Sequence, residues 1–193
     1  YRGENPGGGF RLMRCALLST SDTDLLSARA SGSEFAWANP ARTPIGPAVE
    51  GADIITTCTA DKAQNTILDY SLVRPGVHIN GVGGDCPGKT ELDPRILDDA
   101  TVFVEFPPQT RIEGEIQNKG DDFEVVELWK VIAGKHEGRT SDEEITLFDS
   151  VGFAIEDFSA LRYLRDSTAG TDFQTFIDLV AEPDDPKDLF SLT

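Results

Sequence analysis

The chain has 193 residues, with 34 acidic against 17 basic side chains, 39% hydrophobic residues and a formal charge of −17. Phosphate contacts need clustered Lys and Arg, so this balance argues against a nucleic-acid partner and an anionic membrane surface. No apolar run reaches the length of about 18 residues that a membrane span requires, and no signal-peptide pattern opens the chain, so a soluble, cytoplasmic protein is expected.

The segment 3–9 (GENPGGG) has no hydrophobic period and reads as an irregular loop. Arg14 to Ser19 (RCALLS) is a short apolar run closed by Asp22-Thr23-Asp24, the pattern of a buried strand ending at a turn. Asp53 to Thr57 (DIITT), Val77 to Val82 (VHINGV) and Thr101 to Phe106 (TVFVEF) repeat it. Asn65 to Val73 and Pro94 to Asp98 between them suit helices, so the order is that of βα units and predicts a parallel α/β sheet. Arg111 to Gln117 and Glu127 to Ala133 are further helix candidates, the second closed by Gly134. Ser141 to Glu144 resembles a helix N-cap with first-turn acids, whereas Ile145 to Phe148 reads as a strand, and both readings stand. Val151, Ala154, Ile155, Phe158 and Leu161 lie on one helical face, predicting an amphipathic helix from about Val151 to Arg165. The tail segment Glu182 to Lys187 (EPDDPK) is acidic and broken by proline, hence exposed.

Cys15, Cys58 and Cys86 are odd in number and lack C-x-x-C spacing, and His78 and His136 share no ligand spacing with them. No metal site is expected. Asp22 stands where a dinucleotide fold keeps the acid for the ribose hydroxyls, but the G-x-G-x-x-G turn is absent, and an Asp at a strand end also serves as a turn former. The most informative words run from His78 to Leu92, HINGVGGDCPGKTEL. Gly81, Gly83 and Gly84 follow a predicted strand, with Asp85 and Lys89 just beyond, where open α/β sheets hold their ligands. The plainer reading is a Gly/Pro loop with a capping Asp and a solvated Lys.

These words, together with Asp53 to Ala63 (DIITTCTADKA), Phe103 to Gln117 (FVEFPPQTRIEGEIQ), Gly138 to Asp142 (GRTSD), Thr146 to Asp157 (TLFDSVGFAIED) and Asp185 to Phe190 (DPKDLF), resemble the ornithine cyclodeaminase and mu-crystallin family, on the side of its bacterial cyclodeaminases. The likeness runs from about Gly51 to the C-terminus. It implies a Rossmann-like doubly wound sheet and the conversion of L-ornithine to L-proline and ammonia. Family members of this kind move a hydride from the substrate Cα to NAD, close the δ-amine on the imine, expel ammonia and return the hydride. By position in the matching words, Asp85 resembles the catalytic acid/base, and Lys89 and Ser150 resemble cofactor contacts. Thr59, Ile79, Asn80, Gly81 and Val82 resemble strand-end residues lining the dinucleotide, Asp22 the ribose acid and Val151 a substrate contact. From the residues alone, the alternatives are that Ser150 satisfies only a backbone group and that Val151 belongs to the helix face.

The family places a substrate and dimerisation domain, the first Rossmann strand and its Gly-rich turn before the matching part, and nothing in this sequence corresponds to them. A fragment is therefore expected, inactive in isolation, with a gap where the first, central strand belongs. Its NAD-binding part should be residues 1–151, with 152–193 a C-terminal helix and tail that return to the substrate domain. A homodimer is implied for the full-length protein. Another family oxidoreductase, such as an alanine dehydrogenase or ketimine reductase, and a non-catalytic mu-crystallin-like binding protein are the alternatives.

Overall fold

Seven short, β-rich segments join into one parallel sheet: β1 (Cys15–Leu18), β2 (Phe35–Ala38), β3 (Ile54–Thr57), β4 (His78–Gly81), β5 (Ala100–Val104), β6 (Val126–Glu127) and β7 (Ile145–Asp149). This is a computed structural model, which describes residues 15–18, 44–59 and 65–175 in full and the backbone alone of strand segments 3–4, 10–11 and 35–38. The chain divides into two compact units, Tyr1–Gly152 and Phe153–Thr193.

The strand order is β2-β1-β3-β4-β7-β5-β6, and every neighbouring pair is parallel. Parallel neighbours need crossover connections, which is why the chain alternates strands with longer excursions. The sheet winds outwards from β1 to β2, then from β3 in the opposite direction, as in doubly wound α/β folds. The expected gap is absent: β1 pairs with β2 on one side and β3 on the other, with Leu18 opposite Thr57. A strand edge left unpaired inside a sheet would strand a row of N–H and C=O groups, and direct pairing of β1 with β3 satisfies them.

Alternation along the strands decides what is buried. Leu18, Ile55, Ile79 and Leu147 turn to one face, where they meet Leu68, Leu92, Ile96, Leu97 and Ile116, all at most 1% exposed. Full burial of such a side chain is worth about 1.5–3 kcal/mol. Ile54, Thr56, His78 and Asn80 on the other face are half-buried.

Helix α1 (Gly46–Val49) precedes β3, and α2 (Pro94–Asp99) starts as its sequence requires, with Pro94 in the first turn and the Asp93 carboxylate accepting from Arg95 N at 3.0 Å. The helix expected over Asn65 to Val73 is not formed. Ile67 N and Leu68 N donate to Glu91 O instead, and only a 3-10 turn, Tyr70–Leu72, remains, capped by Asp69. The candidate over Arg111 to Gln117 divides into α3 (Pro107–Glu113) and a 3-10 turn, Glu115–Asn118, because the amides of Glu115 and Ile116 are drawn to the Asp149 carboxylate. α4 (Leu128–Ile132) is followed by Gly134, whose φ of 68° lies in the left-handed region. The choice left open at Ser141 to Phe148 falls to the strand.

In the second unit, α5 (Ala154–Thr168) opens with Glu156 and Asp157 and ends near Arg165, matching charge to the helix dipole. It begins after Val151, so that residue is not on its face. Ile155, Phe158, Leu161 and Leu164 are each more than half exposed. Among the described residues no helix is long and apolar enough to cross a membrane. The tail segment 182–187 lies outside the described residues.

Candidate functional site at the carboxyl ends of the strands

In a doubly wound sheet the crevice for a ligand opens where neighbouring strands send their connections in opposite directions. Here that point lies beyond the carboxyl ends of β1 and β3. Cys58 N donates to Leu18 O at 2.9 Å, and Val82 N donates to Thr57 O at 3.1 Å, so the chain stays paired just past β3 and β4. Ser150 N donates to Gly81 O at 3.0 Å, which brings the end of β7 to the same edge.

The loop after β4 then folds back on this edge. Lys89 N donates to Cys86 O, closing a turn that sets Asp85 and Lys89 one above the other, Nζ to Oδ1 3.1 Å. The two differ in exposure: the Asp85 side chain is 61% exposed and that of Lys89 only 3%. A buried ammonium is costly unless its donors are satisfied. Two of its three N–H donors are used, by Asp85 and by Thr59 O at 2.8 Å. Gln117 braces the turn from outside, accepting from Gly88 N at 2.6 Å and donating to Lys89 O at 2.9 Å.

Beneath this pair lie carboxylates that sequence reasoning did not single out. Glu91 Oε1 accepts from Thr59 N at 2.9 Å and also from the Thr59 hydroxyl. Glu115 accepts from Glu91 N at 2.7 Å and Leu92 N at 3.1 Å. Asp149 accepts from Glu115 N and Ile116 N, both at 2.9 Å. Burial pushes the Glu115 carboxyl up to about 8; its two amide donors oppose the shift, and the nearby Asp149 and Glu91 add to it. Burial likewise pushes Asp149 up to about 7 against the pull of its own amide donors, with Glu105 adding negative charge. The Ser150 hydroxyl donates to Glu105 Oε1. One signal was available in the sequence: Glu91 precedes Leu92, Glu115 precedes Ile116 and Asp149 follows Phe148, acids set against apolar residues that a core would claim.

Of the residues singled out from sequence, Thr59, Asp85 and Lys89 come together directly, and Gly81, Val82 and Ser150 line the same strand-end edge. Val151 follows Ser150 and is partly exposed. Ile79 does not line the site with its side chain, which is fully buried in the core. Asn80 points to the opposite face, where it donates to Thr56 Oγ1 at 3.1 Å and pairs with His78 Nε2. Period-two alternation forces this split, since neighbours on a strand cannot share a face. Asp22 lies outside the described residues. Among the described residues no cluster of His, Cys, Asp or Glu is arranged to hold a metal ion.

The chain is similar to known proteins along most of its length. It is 61% identical over 158 residues to an ornithine cyclodeaminase of Agrobacterium fabrum, an alignment covering 82% of this chain and 45% of that protein. The chain thus spans less than half the length of this relative. Among solved structures, a lysine cyclodeaminase that recognises L-lysine, L-ornithine and L-2,4-diaminobutyric acid superposes with a TM-score of 0.70 at 26% identity, over 94% of this chain and 60% of that one. An archaeal alanine dehydrogenase dimer with bound NAD gives 0.63 at 30% identity, over 77% and 46%. Residues 33–172, most of the sheet and the whole strand-end site, match the model of a single family. The chain belongs to the ornithine cyclodeaminase/mu-crystallin family.

Proposed function

We propose that this chain supplies the NAD-binding and proton-handling part of an enzyme that converts L-ornithine to L-proline and ammonia. The observation that carries the reading is the Asp85–Lys89–Thr59 cluster, set beyond β3 and β4 at the reversal of the sheet, in a chain 61% identical to an ornithine cyclodeaminase. Family resemblance supports a lyase of proline biosynthesis, cytoplasmic and homodimeric at full length, without a nucleic-acid or membrane partner.

The residues present suit a dinucleotide. Among the described residues, Thr57 Oγ1 at the end of β3 and Glu105 Oε2 just past β5 are buried polar atoms without a hydrogen-bond partner. Such atoms are costly unless a ligand or water meets them. NAD would supply hydride acceptance and return. Lys89, Thr59, Gly81, Val82 and Ser150 would hold it, with Asn80 orienting the strand end through Thr56 and Ile79 contributing only its backbone. Asp22 would meet the ribose hydroxyls beyond β1. Asp85 is exposed enough to face a substrate and sits against an ammonium, so its carboxyl would take and return protons at the reacting carbon and amine. Val151 would touch the substrate.

The test joins the preceding half of the Agrobacterium fabrum relative to this chain and follows NAD binding by titration and proline and ammonia release from L-ornithine. NAD binding with turnover of L-ornithine is the expected result. NAD binding without proline formation would favour another family oxidoreductase or a non-catalytic binding protein, and no NAD binding would remove the cofactor reading.

A further inference from the structure

The Thr59 peptide is gripped from both sides. Its N–H and hydroxyl donate to Glu91 Oε1, and its carbonyl accepts from Lys89 Nζ. Thr59 is 4% exposed, Glu91 2% and Lys89 3%, so solvent cannot substitute for these partners. Glu91 is in turn held by its own amide on Glu115, and Glu115 by its amide on Asp149. Each carboxylate therefore fixes the backbone of the residue bearing the next, and the series runs from the end of β7 to the segment following β3. Two glycines make room for it. An ideal Cβ at Gly83 would lie 2.0 Å from Glu91 Cδ, and one at Gly114 would lie 2.7 Å from Asp149 Oδ1.

We propose that Glu91 is a positioning residue for the cofactor site: supported through Glu115 by Asp149, it orients the Thr59 peptide and hydroxyl so that Lys89 and the strand end after β3 present one preformed edge to the dinucleotide. Glu91 touches neither cofactor nor substrate; it acts through Thr59. Glu91 Oε1, both Glu115 oxygens and both Asp149 oxygens each accept a backbone N–H, so the three acids hold one another's backbone in order. The cofactor half of this inference rests on the NAD reading above, and the orientation of Thr59 by Glu91 does not.

The test uses the 193-residue chain labelled with 15N-threonine, as wild type, Glu91→Ala, Glu91→Gln and Thr59→Val. In Glu91→Ala the Thr59 amide signal should shift and its hydrogen exchange rise about tenfold or more, the scale for losing a hydrogen bond to a charged acceptor. The amide of Thr146, bonded to Val77 O in the far part of the sheet, should not change. Glu91→Gln keeps an acceptor oxygen and should restore Thr59 protection to within about threefold. NAD affinity, titrated on the same variants joined to the preceding half of the Agrobacterium fabrum relative, should weaken about tenfold in Glu91→Ala and recover in Glu91→Gln. Thr59→Val, which leaves the carboxylates untouched, should weaken NAD binding with the Thr146 amide unaltered, and this variant carries the test if Glu91→Ala does not fold. Equal acceleration at Thr59 and Thr146, with unchanged NAD affinity, would make Glu91 a general stabiliser and overturn the proposal. If the joined wild type binds no NAD, the cofactor reading falls, and Thr59 exchange still decides whether Glu91 positions that residue.

Discussion

Replacing Gly83 with alanine drives a methyl group into the Glu91 carboxylate. The new Cβ would lie 1.9 Å from Oε2, 2.0 Å from Cδ and 2.2 Å from Oε1, far inside a van der Waals contact of about 3.5 Å. A carboxylate on a flexible stem would normally swing aside into water. Glu91 is 2% exposed and bonded to Thr59, so it has nowhere to go without breaking that contact. Overpacking of this kind costs about 1–3 kcal/mol. Losing hydrogen bonds to a charged acceptor adds about 1.5–3 kcal/mol. A total near 3–5 kcal/mol, less whatever relaxation recovers, is expected. In a chain of this size that lowers the melting temperature by about 6–20 °C.

Gly81→Ala is the control. Its Cβ would meet Leu147 Cδ1 at 3.4 Å and Glu115 Cγ and Leu92 Cδ1 at 3.5 Å, ordinary contacts that should cost less than about 1 kcal/mol. Neither glycine has a positive φ, so the two substitutions differ in what stands opposite rather than in backbone strain. Urea denaturation of both variants measures the difference. The double variant Gly83→Ala/Glu91→Ala should cost less than the sum of its parts, because the shortened side chain clears the space. Equal stabilities of Gly83→Ala and Gly81→Ala, within about 0.5 kcal/mol, would refute the buried placement of Glu91 against Gly83.

Two further predictions concern protons. In the joined enzyme, Asp85→Asn should lower kcat by about 10²–10⁴ with NAD affinity little changed, since the amide keeps the shape and cannot exchange a proton; a near-normal kcat with a lowered melting temperature would leave Asp85 as a partner of Lys89 only. Glu115 and Asp149, held protonated up to about 8 and 7, ionise near 4.5 and 3.8 when unfolded, so their contribution to stability is full below the unfolded values and is lost as pH rises through the folded ones. That loss has a maximum slope of about 1.4 kcal/mol per pH unit for each group. The half-buried His78, whose pKa is lowered, works in the opposite sense, so the measurement is the difference in melting temperature between wild type and Glu115→Gln from pH 5 to about 8.5. Wild type should lose ground on the variant as pH rises, and parallel curves would place Glu115 outside the buried acid series.

Much of the site was legible because its determinants are local. The words DIITT and VHINGV are β-rich and are followed by small or polar residues, so strands with ligand-accessible ends followed from them. The loop GGDCPGK kept Asp85 and Lys89 four residues apart, close enough for one turn to pair them. The segment at Asn65 to Val73 shows where local reading stops. Its composition suits a helix, but Ile67 and Leu68 spend their amides on Glu91 O, a partner more than 20 residues away. A helix needs those same donors, and the tertiary pairing took them.

The amino-acid sequence by itself determined the βα alternation, the parallel sheet and the family, since period, turn chemistry and characteristic words are carried by neighbouring residues. Only the tertiary structure decided that β1 closes directly on β3, that Ile79 faces the core while Asn80 faces away, and that Glu91, Glu115 and Asp149 form one buried series. Those outcomes depend on which groups meet across separations of about 20 to 40 residues, and on the cost of leaving a buried amide or carboxylate without a partner. No local pattern encodes such a meeting, because each acid is chosen by the backbone amide that folding brings to it.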